Sequence, residues 1–133
     1  MKPFAAALCP FLLPLAAAAA DIPIPVPSGQ TVTYFETIQN AQGPEGLTYR
    51  FRFIAPAIAR DGGTVDADTA LLDMEFLCNT FAMKAVPSTG PQPAQIVISL
   101  ADRPVPFGEP APEATQFFEA FRPEDGACVW EGF

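Results

Sequence analysis

The chain has 133 residues, half of them hydrophobic, and its 15 acidic against 7 basic residues give a formal net charge of −8. This balance argues against binding to nucleic acid or to an anionic membrane, because both partners attract clustered Lys and Arg. Histidine is absent, so the usual general base and the commonest metal ligand are missing, which effectively excludes catalytic triads and zinc hydrolase sites.

Residues 1–20 have the pattern of a secretory signal peptide. Lys2 provides a positive charge, an apolar run follows, and a tract of alanines ends at Ala20 with the small residues that signal peptidase requires. The run is shorter than the roughly 20 apolar residues of a membrane span, and Pro10 interrupts it. We therefore expect a periplasmic or secreted mature chain that begins at Asp21 and has no membrane span.

The residues that follow are predicted to form a lead-in and one domain. Residues 21–30 carry prolines at alternate positions, which favours an extended segment without internal hydrogen bonds. Residues 31–133 match the usual size of a single domain. Within them, residues 31–38 have the composition of a strand, and we consider it a candidate edge strand, although Phe35 and Glu36 interrupt the alternation.

A turn over residues 40–46 precedes the clearest alternation in the chain, at residues 47–55. The apolar set faces one way and the polar set the other: Leu47, Tyr49, Phe51, Phe53 and Ala55 against Thr48, Arg50 and Arg52. This pattern predicts an antiparallel hairpin strand with one buried and one wetter face. We expect the two arginines to pair with the surplus carboxylates, and the alternative is that they bind an anion from the exposed face of the strand.

The next segment is predicted to be an amphipathic helix, because its apolar residues, from Ala67 to Phe81, recur at spacings of three and four. Asp66 and Asp68 suit its positive N-terminal end, and Lys84 suits its C-terminal end. The same spacing places Cys78 on the buried stripe.

The rest of the chain alternates between regular and proline-rich segments. Residues 95–100 are β-branched and predict an interior strand, whereas residues 103–112 contain too many prolines for regular structure and predict an ordered surface loop. Helical spacing then predicts a short helix over residues 113–121. Residues 127–133, which include Cys128, predict a final strand.

The predicted order is strand, strand, helix, strand, short helix, strand. It corresponds to an α+β fold in which a small antiparallel sheet carries helices on one face. Cys78 and Cys128 are the cysteines left after cleavage, and in an oxidising compartment an even count predicts a disulfide. Closing a loop of about 50 residues would restrict the unfolded chain by about 4 kcal/mol. The alternative of a redox or zinc site lacks the Cys-x-x-Cys spacing and the histidines.

One acidic group invites a calcium hypothesis, because it surrounds a glycine-rich turn: Asp61, Asp66, Asp68 and Asp73. The spacing is not that of an EF-hand, and helix capping accounts for two of these residues without an ion. The Gly62-Gly63 pair lacks the Walker spacing and its lysine, so we interpret it as turn chemistry. We expect no metal and no cofactor.

A second acidic group could supply a carboxylate pair for hydrolysis: Glu119, Glu124, Asp125 and Glu131. In an acidic protein such neighbours are usually solvated surface. A small carboxylate-based hydrolase or ligand-binding protein is therefore the alternative function.

The leading hypothesis is a non-catalytic, exported domain that binds an envelope protein or another envelope component. Helical spacing over residues 113–121 predicts that Phe117 and Phe121 are buried together and that Phe118 is not. The terminal Phe133 is also left outside this buried pair, so both are candidates for a recognition patch. The proline-rich loop adds Arg103 and Phe107. These four residues are the candidate partner contacts.

Three stretches resemble a family of small exported alphaproteobacterial proteins that is classed as a domain of unknown function. They are residues 26–30 (VPSGQ), residues 46–65 (GLTYRFRFIAPAIARDGGTV), and residues 89–133 with the strings DRPVPFGEP and DGACVWEGF. The resemblance implies export but supplies no activity and no site residues. Some relatives carry the label acetolactate synthase, an activity that needs several domains and a cytoplasmic address, and this sequence predicts neither.

Overall fold

The computed structural model describes residues 22–43 and 46–132, together with Pro3 and Pro10. The predicted signal peptide, apart from these two prolines, and the candidate contact Phe133 lie outside the described residues. The strands are β1 (Thr33–Gly43), β2 (Gly46–Ile54), β3 (Gln95–Ala101), β4 (Gln116–Glu124) and β5 (Ala127–Trp130). A 3-10 turn (Pro56–Ile58) precedes one continuous helix, made of α1 (Ala67–Leu77), a π-helical turn (Cys78–Ala82) and α2 (Met83–Ala85).

The described strands form one sheet in the order β1-β2-β3-β4-β5. Neighbouring strands are antiparallel except β2 and β3, which are parallel. Parallel neighbours need a long crossover connection, and here it contains the helix. The α+β class, the helix on one face of the sheet and the interior position of β3 are confirmed, and the sheet is mostly rather than wholly antiparallel.

The interrupted alternation at Phe35 and Glu36 is a β-bulge in the edge strand β1. Tyr34 pairs with Phe53 and Glu36 pairs with Arg52, so the register shifts between them. A bulge places two residues opposite one partner residue, and the side chains of Phe35 and Glu36 both contact Arg52. The strand continues to Gly43, which is past the start of the turn predicted at residues 40–46.

The core lies between the sheet and the helix. Its largest fully buried side chains come from β2, β3, β4 and the helix: Phe51, Phe53, Ile96, Ile98, Leu100, Phe121, Met74 and Leu77. The predicted disulfide is confirmed between Cys78 and Cys128, and it joins the π-helical turn to β5. The adjacent Asn79 accepts a hydrogen bond from the Cys128 backbone N–H at 2.9 Å.

The short helix predicted over residues 113–121 is wrong, because residues 116–124 form strand β4. Apolar residues at short spacing fit both periodicities, and here alternate residues face opposite sides of the sheet. A two-residue turn at Asp125 and Gly126, whose φ angles are 51° and 79°, connects this strand to β5 in a hairpin. An Asp-Gly pair between apolar segments is the sequence signal for such a hairpin.

The proline-rich lead-in is docked on the domain. Ile24 donates a backbone hydrogen bond to the Val32 carbonyl at 2.7 Å, and Val26 is buried. The helix residue Asp73 is fully buried and accepts hydrogen bonds from the Ser28 N–H and hydroxyl and from the Gln30 amide. Within the described ranges, no helix has the length and apolarity that a membrane crossing requires.

Candidate functional site

The sheet face opposite the helix is partly covered by the proline-rich loop between β3 and β4. The Arg52 guanidinium donates a hydrogen bond to the Val105 carbonyl at 2.6 Å, and Val105 is 3% exposed. The predicted surface loop thus packs back onto the sheet. The prediction that this face of β2 is the wetter one is wrong at Thr48 and Arg52, which are buried. The guanidinium of Arg52 is covered by the loop and by the bulged β1.

Phenylalanine rings and guanidinium groups alternate across this open face, and we call this row the Phe–Arg ladder: Phe35, Arg52, Phe107, Arg50 and Phe118. The Arg52 Cζ lies 5.1 Å from the Phe35 ring centroid and 5.6 Å from that of Phe107. The Arg50 Cζ lies 5.6 Å from the Phe107 centroid and 5.7 Å from that of Phe118. All four distances are within the range of cation–π attraction.

Four separate elements build the ladder. The bulge in β1 turns Phe35 onto the open face, alternate positions of β2 supply the two arginines, the loop supplies Phe107, and β4 supplies Phe118. The three rings are 37%, 51% and 55% exposed in chain order. The ladder therefore presents apolar surface to solvent in fixed positions.

The two guanidinium groups differ in their polar partners. Arg52 forms an ion pair with Glu36, as the sequence predicted, and it also donates the hydrogen bond to the loop. The predicted pairing with a carboxylate is wrong for Arg50, which has no carboxylate or hydrogen-bond acceptor among the residues that the structure describes. Its guanidinium lies over the rings of Phe107 and Phe118. Burial, and then the neighbouring charge of Arg52, lowers the pKa of Arg50 from its ordinary value.

Arg50 lines a pocket of about 260 Å³ between the loop and the sheet. Ser99 and Gln116 also line it, and in the described part of the chain neither side chain has a hydrogen-bond partner. Glu109 lies at the same pocket on the loop side. The pocket thus combines one guanidinium, one hydroxyl and one amide without acceptors, next to a single carboxylate.

The structure brings together two of the predicted partner contacts, Phe107 and Phe118, but it places Arg103 elsewhere. Arg103 is exposed and pairs with the adjacent Asp102 at 3.1 Å, in a separate cleft of about 470 Å³. This hydrogen bond lowers the pKa of Asp102 and raises that of Arg103. The cleft's other arginine, Arg60, donates to the carbonyls of the loop's end, so both cations there have partners.

The acidic residues considered for calcium are not gathered. Among the described residues, no group of three or more Cys, Asp or Glu side chains is placed to hold a metal ion. Asp66 instead accepts a hydrogen bond from the Thr69 backbone N–H at 2.8 Å, which caps α1 and lowers the pKa of Asp66. The Asp73 carboxylate accepts hydrogen bonds from Ser28 and Gln30 of the lead-in.

Three of the four carboxylates of the hydrolase alternative have other partners. Glu119 accepts a hydrogen bond from the Trp130 indole N–H at 2.9 Å, and Glu131 accepts one from the Gln95 amide at 3.0 Å. Glu124 pairs with Arg122 at 2.7 Å. These contacts tie β4 and β5 to their surroundings.

Sequence reasoning missed Phe35 as a site residue, and it ranked anion binding by Arg50 below pairing with a carboxylate. Phe35 interrupted a pattern, which is the local sign of a bulge, but nothing local shows which side chain it meets. Arg50 differs from Arg52 only through contacts made by distant segments.

No curated protein and no solved structure matches the chain. One family, described as a family of unknown function (DUF6497), matches residues 10–133. This range contains all three stretches on which the resemblance was based. The chain therefore belongs to this family of unknown function.

Proposed function

We propose that the protein is an exported, non-catalytic domain that binds a protein of the cell envelope through the Phe–Arg ladder. The observation that carries the proposal is the ladder itself, with half-exposed rings spaced by two guanidinium groups. Aromatic residues, Phe among them, and arginine are enriched at protein interfaces, and arginine is one of the residues that contribute most to their binding energy. The ladder therefore consists of residue types that are typical of protein interfaces, and a binding function requires no catalytic group in it.

The geometry also supports binding through rigidity. The rings stand on two sheet strands and on a loop that is fastened by the bond from Arg52 to Val105. Side chains that are already ordered lose less conformational entropy when a partner arrives. A ladder held in place before binding is thus a better contact surface than the same residues on a mobile loop.

Export is supported by the signal-like N-terminal residues and by the disulfide. Bonds such as that between Cys78 and Cys128 persist in oxidising compartments and are rare in the cytosol. A periplasmic or secreted location is consistent with both features. The hydrolase alternative has less support, because three of its four carboxylates take part in contacts within the fold.

The test is a crosslinking pull-down of tagged mature protein from its native periplasm, with partners identified by mass spectrometry against a tag-only control. The variants Phe107→Ala and Phe118→Ala should reduce recovery of a near-stoichiometric partner about tenfold, because each removes a ring from the ladder. The matched control is Phe76→Ala, which removes a 38% exposed ring from the helix and should leave recovery unchanged.

Two results would contradict the proposal. One is a folded, disulfide-bonded protein that recovers no specific partner. The other is full recovery of every partner by both ladder variants.

A further inference from the structure

We infer that Arg50 binds the carboxylate of an Asp or Glu side chain on the partner, in an acidic segment that lies across the Phe–Arg ladder. The inference rests on the proposed function and adds the chemistry of the partner. It follows from the charge, the donors and the size of the pocket beside Arg50.

Charge is the first step. The chain carries 15 acidic residues against 7 basic ones, yet among the described residues none of those carboxylates pairs with Arg50. Arg52 is balanced by Glu36. Among the described residues, the ladder therefore has one positive charge without a counter-charge, and it is half-buried between two rings. An incoming anion would find a guanidinium that has already lost part of its hydration.

The donors around the pocket favour a carboxylate. Arg50 offers paired N–H groups that fit the two oxygens of a carboxylate. Ser99, which is 6% exposed, and Gln116 add a hydroxyl and an amide that lack acceptors within the described residues. Glu109 on the pocket's rim makes a dianion unfavourable, so a singly charged carboxylate fits better than a phosphate.

Size favours a side chain over a free metabolite. The pocket of about 260 Å³ lies below the roughly 300–1,000 Å³ typical of small-molecule sites. Outside it, the exposed rings of Phe35, Phe107 and Phe118 extend the contact surface. A protein segment can place one acidic side chain in the pocket and its neighbours on these rings, whereas a small acid reaches only the pocket.

The experiment uses random seven-residue peptides displayed on phage and selected on the mature, disulfide-bonded protein. We expect the selected peptides to share an Asp or Glu at one fixed position. Fluorescence polarisation then gives the dissociation constant of a selected peptide and of its isostere with Gln or Asn at that position. The isostere should bind about 10- to 100-fold more weakly, as expected for hydrogen bonds to a charged group.

Variants assign the effect to Arg50. Arg50→Met should weaken the acidic peptide as much as the isostere does, and Arg50→Lys should retain part of the affinity, because it keeps the charge without the fork of donors. The control Arg103→Met removes an exposed arginine outside the ladder and should change nothing. The isostere comparison uses the native protein, so it stands even if a variant fails to fold.

Three outcomes would overturn the inference: selected peptides without a shared acidic position, equal affinity for the isostere, or binding of acetate or inorganic phosphate alone as tight as that of the peptide. The last outcome would indicate a site for free anions. None of them would contradict the ladder as a binding surface if Phe118→Ala still reduced partner recovery in the pull-down. Failure of the proposed function would instead appear in the pull-down.

Discussion

At the scale of single residues, Asp73 shows how one side chain fixes a distant segment. It is fully buried on the helix, and its carboxylate accepts hydrogen bonds from Ser28 and Gln30. The sequence suggested only a calcium ligand at this position, because the partners lie more than 40 residues away. A buried acid on an otherwise apolar stripe is the local sign that was available.

Asp73→Ala should lower the free energy of unfolding by about 1–3 kcal/mol, because it leaves the donors of Ser28 and Gln30 without an acceptor. The lead-in should also become accessible to proteases. Urea unfolding and limited proteolysis measure the two effects. The exposed Asp68→Ala is the control: it loses only an interaction with the helix N-terminus, so it should cost less than about 1 kcal/mol and leave the protease pattern unchanged. An unchanged protease pattern in Asp73→Ala would contradict the docking contact.

Gly63 occupies a position where a side chain does not fit. A Cβ atom there would lie 2.0 Å from the Ala59 carbonyl oxygen, whereas at Gly62, with φ at 77°, it would meet open space. Gly63→Ala should therefore cost at least about 2 kcal/mol through overpacking. Gly62→Ala should cost about 1 kcal/mol through backbone strain alone. Equal unfolding free energies of the two variants in urea would refute this reading of the turn.

Two aspartates make stability depend on acid pH. The hydrogen bond from Arg103 lowers the pKa of Asp102, and the backbone N–H of Thr69 lowers that of Asp66. Groups with a lowered folded pKa stabilise the fold above the unfolded value of about 3.9, and this stabilisation is lost as the pH falls through the folded value. Urea unfolding between pH 5 and 2 should show the loss, and Asp102→Asn should flatten it. An unchanged slope in that variant would count against the assignment.

At the scale of elements, the helix and four of the five described strands were predictable because their patterns are local. The apolar spacing that indicates the helix and the alternation in β2 depend only on neighbouring residues. β4 was not predictable in this way, since its phenylalanines satisfy helical and strand periodicity equally. Its pairing with β3 and β5 decides the outcome.

The disulfide belongs to this scale, because it joins the π-helical turn to β5. Replacing both Cys78 and Cys128 with Ala should lower the free energy of unfolding by about 2–5 kcal/mol. Without the bond, which closes a loop of 50 residues, the unfolded chain has more conformational entropy. Urea unfolding of the double variant measures the loss. Two free thiols in protein from the periplasm would contradict the bond.

At the scale of the whole molecule, the sequence predicted the α+β class and two of the ladder's rings but not the ladder. Phe35, Arg50, Phe107 and Phe118 meet only through a bulge, the strand order and a loop that folds back over the sheet. Each of these depends on contacts between distant segments. Arg103, predicted from the same loop as Phe107, lies in another cleft for the same reason.

The central claim is that the Phe–Arg ladder is the surface that meets the partner, and photocrosslinking tests it most directly. A photoreactive amino acid replaces Phe118 or, as control, Phe76 on the helix, and cells producing either protein are irradiated. We expect a discrete crosslinked product from position 118 and none from position 76, and a weaker product when Arg50→Met is added to the first protein. A product from position 76 with none from position 118 would place the interface on the helix and contradict the account.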